Sequence, residues 1–182
     1  MKFLIIGNQN AITYKEIFPL IKDGKIWLGV SANKNICKFN IPDEYPLNAA
    51  TCGIDPDGRK YVHVNGVRWF TNLDHDGHHQ DLPLYKHYDP SAYPKYDNYD
   101  AIEVSRTAEI PDDYDGTMGV PITFLDKYDP DQFEIVGATE SEGRGFSMGL
   151  WDESSGASQP VVNGIRKYKR LLIRNKHPRP RQ

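Results

Sequence analysis

The segment that most constrains the fold is the first thirty residues, MKFLIIGNQNAITYKEIFPLIKDGKIWLGV. Residues 3–6 form a continuous apolar run that ends at Gly7, which predicts a strand buried on both faces of an α/β sheet. A helix is predicted next, and Asp23-Gly24 ends it before a second strand at residues 26–30. The helical spacing comes from Ala11, Tyr14, Ile17, Phe18 and Ile21.

The turn after the first predicted strand consists of three polar residues, Asn8, Gln9 and Asn10. Ligands of open α/β sheets lie beyond the carboxyl ends of the strands, so a functional site is expected at this turn. Amide side chains are also common in turns that bind nothing. Spacing alone leaves both interpretations open.

Four blocks of sequence, in order along most of the chain, carry a resemblance to a known family. They are FLIIGNQNAITYKEIFPLIKDGKIWLG at 3–29, RWFTNLDH at 68–75, PKYDNYDAIEV at 94–104 and YDGTMGVPITFLDKYDPDQFEIVG at 114–137. Together they resemble the carboxyl-terminal part of EcoRI-type adenine-specific DNA modification methylases. The resemblance implies part of an enzyme that transfers a methyl group from S-adenosylmethionine to N6 of adenine in duplex DNA.

The catalytic tetrapeptide of such enzymes does not occur in these 182 residues. Amino-methyltransferases hold the flipped adenine with an Asn/Asp-Pro-Pro-aromatic sequence, and no two prolines are adjacent here. In the family, the tetrapeptide and the cofactor segments precede the strand that corresponds to residues 3–6. We therefore expect no catalytic residue, no S-adenosylmethionine bound by this chain alone, and no activity unless a separately encoded amino-terminal half completes it.

The predicted fold is one α/β unit: a partial methyltransferase-like (Rossmann-like) sheet with an added mixed-strand, loop-rich DNA-recognition region. Residues 1–30 supply the strand-helix-strand of the methyltransferase core. Residues 31–164 supply the recognition region and the remaining core strands, with strands predicted at 36–39, 101–104 and 133–137. Residues 165–182 supply a basic carboxyl-terminal strand and tail.

The clearest hairpin pattern spans residues 60–72. The runs KYVHV and VRWFTN flank Asn65-Gly66, a two-residue loop that favours a tight turn. Trp69 and Asn72 are candidate DNA contacts, because an indole stacks on bases and an amide reads base edges. Aromatic residues in a hairpin are also typical of a core, so the pattern leaves both roles open.

The charges suggest a second DNA-contacting segment near the carboxyl end. The net charge of −3 argues against strong electrostatic DNA binding by the chain as a whole. Residues 165–182, IRKYKRLLIRNKHPRPRQ, nevertheless contain many cations and no acid. Lys167, Lys169 and Arg170 are the candidate phosphate contacts; the alternative is a final strand at 168–173 with a solvated basic tail.

Position relative to the first strand predicts the adenine pocket. If an amino-terminal half completes the sheet, Asn8, Asn10 and Tyr14 would line the edge of that pocket. DNA and the amino-terminal half are the expected partners. The alternatives are a module that binds DNA without methylating it and a degenerate remnant with neither activity.

Two other patterns resemble ligand sites only superficially. His75, His78 and His79 lie among aspartates but lack the helical spacing that aims two imidazoles at one ion, so no metal site is expected. Residues 140–149, ESEGRGFSMG, miss the dinucleotide fingerprint and precede no helical pattern. We interpret both segments as loops.

Composition points to a cytoplasmic protein. No apolar stretch approaches the length of a membrane span, and no cleavage pattern of a signal peptide is present. Cys37 and Cys52 are too few for a disulfide framework and too poorly spaced for a zinc site. They are expected to be reduced thiols with a packing role.

Overall fold

The computed structural model describes residues 1–30, 36–48, 50–139 and 159–180, which form mostly β-sheet with one short α-helix. The first sheet contains β1 (Leu4–Asn8), β2 (Trp27–Leu28) and β6 (Val67–Thr71). The second contains β3 (Ile36–Asn40), β4 (Cys52–Ile54) and β5 (Lys60–Asn65). The third contains β7 (Ile102–Glu103), β8 (Met118–Pro121), β9 (Phe133–Ala138) and β12 (Arg170–Asn175).

The strand orders are β1-β6-β2, β3-β5-β4 and β7-β8-β12-β9, and β10 (Val161–Val162) forms a small hairpin with β11 (Ile165–Arg166). Only the β7–β8 pair is parallel among these pairings. Helix α1 spans Phe18–Lys22, and 3₁₀ turns lie at Gln9–Thr13, Asp76–His79, Thr107–Glu109 and Ile122–Lys127. The described residues are thus a mixed α/β structure rich in antiparallel sheet.

Strand β1 differs from the prediction in its burial. It forms as expected, but among the described strands it lies at the edge of the first sheet and pairs with β6 alone. Leu4, Ile5 and Ile6 are 53%, 56% and 48% exposed, so the prediction of a strand buried on both faces is wrong for this chain. An apolar run indicates that a strand is suited to burial. Whether it is buried depends on residues from elsewhere in the sequence that pack over it.

The predicted helix of the first unit is interrupted. A 3₁₀ turn ends at Tyr14, whose φ of −73° and ψ of 144° are extended, and α1 begins only at Phe18. The apolar spacing serves the core in part: Phe18 and Ile21 are buried, Ala11 and Ile17 pack against the core, and Tyr14 is 48% exposed. Gly24, at a φ of +63°, follows the end of α1, as Asp23-Gly24 predicted.

The predicted hairpin over residues 60–72 is wrong. Strand β5 pairs with β3 and β4, whereas β6 pairs with β1 and β2. Gly66, at a φ of +70°, turns the chain out of one sheet and into another. Its carbonyl accepts a hydrogen bond from the Gln9 amide at 2.6 Å, so the turn is fixed by β1 and not by its own flanking strands.

A common core joins the first and third sheets. Phe70 and Leu28 of the first sheet lie in one buried cluster with Phe124, Phe133 and the third-sheet strands. Neither buried cluster includes a residue of the second sheet. Strands predicted at 36–39, 101–104, 133–137 and 168–173 are confirmed as β3, β7, β9 and β12, with shifted ends.

The prediction for the glycine-rich segment 140–149 falls outside the described residues. No helix among the residues described here is long and apolar enough to cross a bilayer.

Candidate nucleic-acid interface

A cavity of about 620 Å³ opens where the turn after β1 meets the start of β12. Its walls come from five separate parts of the chain, and they combine amide, hydroxyl, aromatic and cationic side chains. The described lining residues are Asn10, Ser105, Pro121, Ile122, Gln159, Tyr168, Lys169 and Arg170. Such a set offers donors and acceptors for base edges, an aromatic ring and positive charge for phosphate.

One hydrogen bond links the turn after β1 to the segment before β12. The Lys169 ammonium donates to the Thr13 hydroxyl at 3.2 Å, across 156 positions of sequence. The Thr13 hydroxyl in turn donates to the carbonyl of Asn10 at 3.2 Å. The structure therefore brings together two predicted sets: the adenine-pocket edge, represented by Asn10, and the basic segment, represented by Lys169.

Asn8 and Tyr14 flank Asn10 without lining the cavity among the described residues. The Asn8 side-chain carbonyl accepts from the Asn10 amide at 2.8 Å and so caps the 3₁₀ turn. Tyr14 ends that turn, and about half of its side chain is exposed. Asn8 thus has a local role in orienting Asn10, and the pocket roles of Asn8 and Tyr14 stay predictions.

Arg170 has a structural role that the sequence did not predict. It is buried, and its Nη2 and Nε donate to the two carboxylate oxygens of Glu103 at 2.6 and 3.1 Å. The Tyr96 hydroxyl also donates to Glu103. The Nε–Nη2 edge of Arg170 is thus committed to a buried carboxylate, and its Nη1 donates to the carbonyls of Tyr168 and Lys169 at 3.3 Å. Arg170 therefore has a structural role already, and its phosphate contact stays a prediction.

The buried network shifts the pKa values of its members. Burial opposes the charge on Arg170, but its bonds to Glu103 raise the pKa of the guanidinium above its ordinary value. Burial, reinforced by the Glu103 charge, raises the pKa of Tyr96 far above its ordinary range. Arg170 therefore stays charged and Tyr96 stays neutral throughout the physiological range.

Tyr168 is the most prominent cavity residue that sequence reasoning missed. It is 87% exposed and lines the cavity together with Lys169, whereas Lys167 precedes it in sequence and is not among the lining residues. The two lysines on either side of Tyr168 are called the rim lysines below. The available signal was an aromatic residue flanked by cations, a pattern typical of surfaces that bind single strands or unpaired bases. The backbone amide of Lys167 donates a hydrogen bond to the Pro160 carbonyl at 2.7 Å. Ser105 and Gln159 carried no sequence signal.

Trp69 and Asn72 lie away from this cavity. Asn72 accepts from the Phe3 amide at 3.0 Å and donates to the Met1 carbonyl at 2.9 Å, which ties the segment before β1 to the end of β6. Trp69 is half-buried in β6 opposite Ile6 of β1. Their proposed DNA contacts stay predictions, and Asn72 has a structural role already.

The remaining cations of the basic segment are held against the protein as far as Arg179. Arg174 donates to the Thr117 hydroxyl at 3.1 Å, and the Lys176 ammonium donates to the Pro130 carbonyl at 2.6 Å. Arg179 pairs with Asp112 at 3.1 Å. Residues 174–179 therefore follow the protein surface instead of forming a free basic tail.

The histidine segment is more ordered than a plain loop. Ligand atoms of Asp74, His78 and His79 lie within 4.8 Å of one another, and the His78 ring stacks on Trp27 with centroids 4.6 Å apart. A 2.7 Å hydrogen bond to Asp74 raises the pKa of His79, whereas burial lowers the pKa of His78. The absence of a metal function stays a prediction, and the stacking explains the ordering without an ion.

Comparison with known proteins gives a family match over nearly the whole chain. The family model described as adenine-specific methyltransferase EcoRI matches residues 1–176. The type II methyltransferase M.EcoRI of Escherichia coli is 48% identical over 177 residues, which cover 96% of this chain and 50% of that protein. This match confirms the resemblance inferred from the sequence blocks.

Two Mycoplasma proteins extend the comparison. Type II methyltransferase M.MgeORF184P of Mycoplasma genitalium is 34% identical over 181 residues, which cover 95% of this chain and 56% of that protein. M.MpnI of Mycoplasma pneumoniae is 32% identical over 185 residues, which cover 96% of this chain and 57% of that protein. The chain thus spans about half the length of the curated relatives it matches. No solved structure matches it.

Proposed function

The chain belongs to the EcoRI family of adenine-specific methyltransferases, and on that premise we propose that it is the DNA-facing part of an S-adenosylmethionine-dependent enzyme that methylates adenine at N6. We infer further that β1 and its neighbours are part of a methyltransferase-like sheet. The observation that carries the proposal is the junction of Lys169 with Thr13 beside Asn10, which joins a cavity large enough for a base to a basic segment.

The cavity suits a base that has left the duplex. Enzymes that modify a base flip it out of the stack and read its edge with hydrogen bonds while rings or apolar groups hold its faces. Asn10, Ser105 and Gln159 offer such bonds, and Tyr168 offers a ring at the rim. Lys167 and Lys169 flank that ring in sequence, where they would neutralise phosphates next to the flipped nucleotide.

The same cavity does not suit the cofactor. S-adenosylmethionine carries a sulfonium and an ammonium, which favour acidic or neutral partners. The described lining contains Lys169 and Arg170 and no acidic side chain. We therefore assign cofactor binding in the complete enzyme to segments other than this cavity and derive no catalytic step from the present residues.

The chain by itself is proposed to be inactive. Its 182 residues contain no Asn/Asp-Pro-Pro-aromatic sequence, the element that accepts hydrogen bonds from the adenine amino group in this class of enzyme. What the present residues supply is recognition: an edge for the base, a stacking ring and phosphate contacts. The complete reaction needs the tetrapeptide and cofactor segments to be placed against this surface.

Removing the two rim lysines tests the DNA-binding part of the proposal. We expect the double substitution Lys167→Ala and Lys169→Ala to weaken binding to all duplex sequences alike and to reduce the slope of log affinity against log salt by about 2, because each lysine releases about one counterion. Fluorescence anisotropy of a labelled duplex, titrated at several salt concentrations, measures both quantities.

The matched control removes the same charge elsewhere. Lys25 and Lys38 are exposed lysines paired with Asp23 and Asp55, and neither lines the cavity. The double substitution Lys25→Ala and Lys38→Ala should leave the slope unchanged. Equal losses from both double variants would show that only net charge matters and would remove the rim lysines from the interface.

Tyr168 gives a second test, which addresses base stacking. Tyr168→Ala is expected to weaken binding to a duplex with one unpaired adenine about 5- to 150-fold, equivalent to about 1–3 kcal/mol, because the ring no longer stacks on the displaced base. Tyr168→Phe should retain the affinity. The comparison uses the same duplex with an abasic site in place of the unpaired adenine, for which the loss should be small.

Tyr85 provides a control for simple removal of an exposed ring. It is 81% exposed, close to the 87% of Tyr168, and it is not among the cavity residues. Tyr85→Ala should leave affinity for both duplexes unchanged. A Tyr168→Ala variant that binds both duplexes as well as the wild-type chain would contradict the stacking role.

A further inference from the structure

We propose that the free edge of β1, together with the exposed side chains of Leu4, Ile5 and Ile6, is the surface on which the amino-terminal half of an EcoRI-type methyltransferase docks by adding a strand to the first sheet. This inference rests on the proposed function, because that function requires segments that the present residues lack. Beyond that function, the inference specifies the surface where the two halves meet and the backbone atoms that join them.

The hydrogen-bonding groups of β1 are open on one side. Its register with β6 is continuous from Leu4 opposite Thr71 to Asn8 opposite Val67, and the next residue, Gln9, donates to Gly66. Hydrogen-bonded residues alternate along an antiparallel strand, so Ile5 and Gly7 share the bonding phase of Gln9. The backbone groups of Leu4 and Ile6 therefore point away from β6, toward an edge that pairs with no described strand.

The side chains of β1 are apolar and open on both faces. Leu4 and Ile6 lie on one face and Ile5 lies on the other, since successive residues of a strand alternate. Each is about half exposed or more, at 53%, 48% and 56%. Ile5 lies opposite Phe70, which belongs to the shared core, so its face continues an existing hydrophobic layer.

Such a strand is unusual at the edge of a finished sheet. Natural edge strands are protected by charge, proline, a bulge or covering chain, and Leu4–Asn8 contains neither charge nor proline. Apolar side chains on both faces are instead typical of a strand inside a larger sheet. The surface thus has the chemistry of an interior strand with one neighbour in place.

The relatives indicate the occupant. The chain matches 50–57% of the length of its curated relatives, so each relative carries a further segment of comparable size without a counterpart here. A domain of that size can pair with the β1 edge and cover both of its faces. A second copy fits less well, because two five-residue strands bury only three exposed apolar side chains each, far below the roughly 800 Å² per partner of a stable interface.

The test co-expresses this chain with the half of E. coli M.EcoRI that lies outside the match. The M.EcoRI half carries an affinity tag. We expect the two polypeptides to co-elute in equal amounts. Ile6→Pro should weaken this association at least tenfold, because proline removes a donor from the free edge while Ile5 and Gly7 keep their bonds to β6. Ile5→Lys should do the same by placing a charge on the covered face.

The control is a strand edge of the second sheet. Ile54 is 59% exposed in β4, so Ile54→Lys adds the same charge at a similar exposure without touching β1. Its co-elution should equal that of the wild-type chain. Hydrogen exchange of β12 amides verifies that each variant remains folded.

Three outcomes would overturn the inference: no co-elution of the wild-type chain, equal co-elution of the β1 variants, or a dimer of this chain alone that Ile6→Pro dissociates. DNA binding by the chain alone separates these failures from failure of the proposed function. The β1 variants should bind duplex DNA as the wild type does, because β1 lies outside the cavity lining. Loss of DNA binding in the wild type would instead contradict the function itself.

Discussion

Replacing Arg170 by methionine is expected to lower the free energy of unfolding by about 3–5 kcal/mol, because it leaves a buried carboxylate without its counter-charge. The side chains of Arg170 and Glu103 are 9% and 4% exposed, and their shortest N–O distance is 2.6 Å. Urea denaturation followed by circular dichroism measures the change, which should appear in the midpoint while the slope stays constant.

Two comparisons identify the cause. Arg166→Met removes an equal charge from an exposed position in β11 and should change stability by no more than about 0.5 kcal/mol. The double substitution Arg170→Met and Glu103→Leu should recover much of the loss, because no buried charge is then left alone. A loss below about 1 kcal/mol for Arg170→Met would indicate that the pair is solvated and would favour Arg170 as a phosphate contact.

Replacing Phe133 by alanine is expected to cost about 3–5 kcal/mol, through lost burial and the cavity left behind. Phe133 is fully buried at the start of β9 and meets Phe124 edge to face, with centroids 5.2 Å apart. Its cluster also contains Phe70 and Leu28 of the first sheet. The substitution should therefore destabilise β6 and β12 together, although β6 belongs to another sheet.

Native-state hydrogen exchange measures this coupling. Amides of β6 and β12 should lose protection by similar factors in Phe133→Ala, whereas amides of β5 should lose less, since the second sheet contributes to neither buried cluster. Loss confined to the third sheet would contradict a shared core. A matched large-to-small change in the second sheet, Phe39→Ala in β3, should show the reverse pattern.

Local pattern predicted three of the four strands of the third sheet and missed β8. Residues 101–104, 133–137 and 168–173 read AIEV, FEIVG and YKRLLI, apolar stretches with one or two charged residues each, and they form β7, β9 and β12 with shifted ends. The same reasoning found β1 but not its exposure. Burial depends on the neighbours of a strand, and the described chain supplies β1 with one.

Local sequence signals did not contain the information about which strands pair with each other. Asn65-Gly66 is a strong turn signal, and the chain does turn at Gly66, yet β5 and β6 enter different sheets because their partners lie far away in sequence. The burial of Arg170 was missed for a related reason. Within a basic run its charge looks solvent-exposed, and only the approach of Glu103 from 67 positions away makes it part of the interior.

The candidate site was partly accessible from sequence. The polar turn at Asn8 to Asn10 and the cations Lys167 and Lys169 were predicted separately, from strand topology and from charge. Their meeting depends on a contact across 156 positions, which no spacing rule encodes. Ser105 and Gln159 enter the cavity only through that packing.

The most direct test of the account is a chimera in which this chain replaces the matched half of E. coli M.EcoRI. The fused protein is incubated with radiolabelled S-adenosylmethionine and duplex DNA free of adenine methylation, and N6-methyladenine is then quantified. We expect methyl transfer by the chimera, none by this chain alone, and a reduced rate at elevated salt after Lys167→Ala and Lys169→Ala. A folded chimera that transfers no methyl group, or transfer by this chain alone, would contradict the claim that it supplies the DNA-facing part of an adenine methyltransferase.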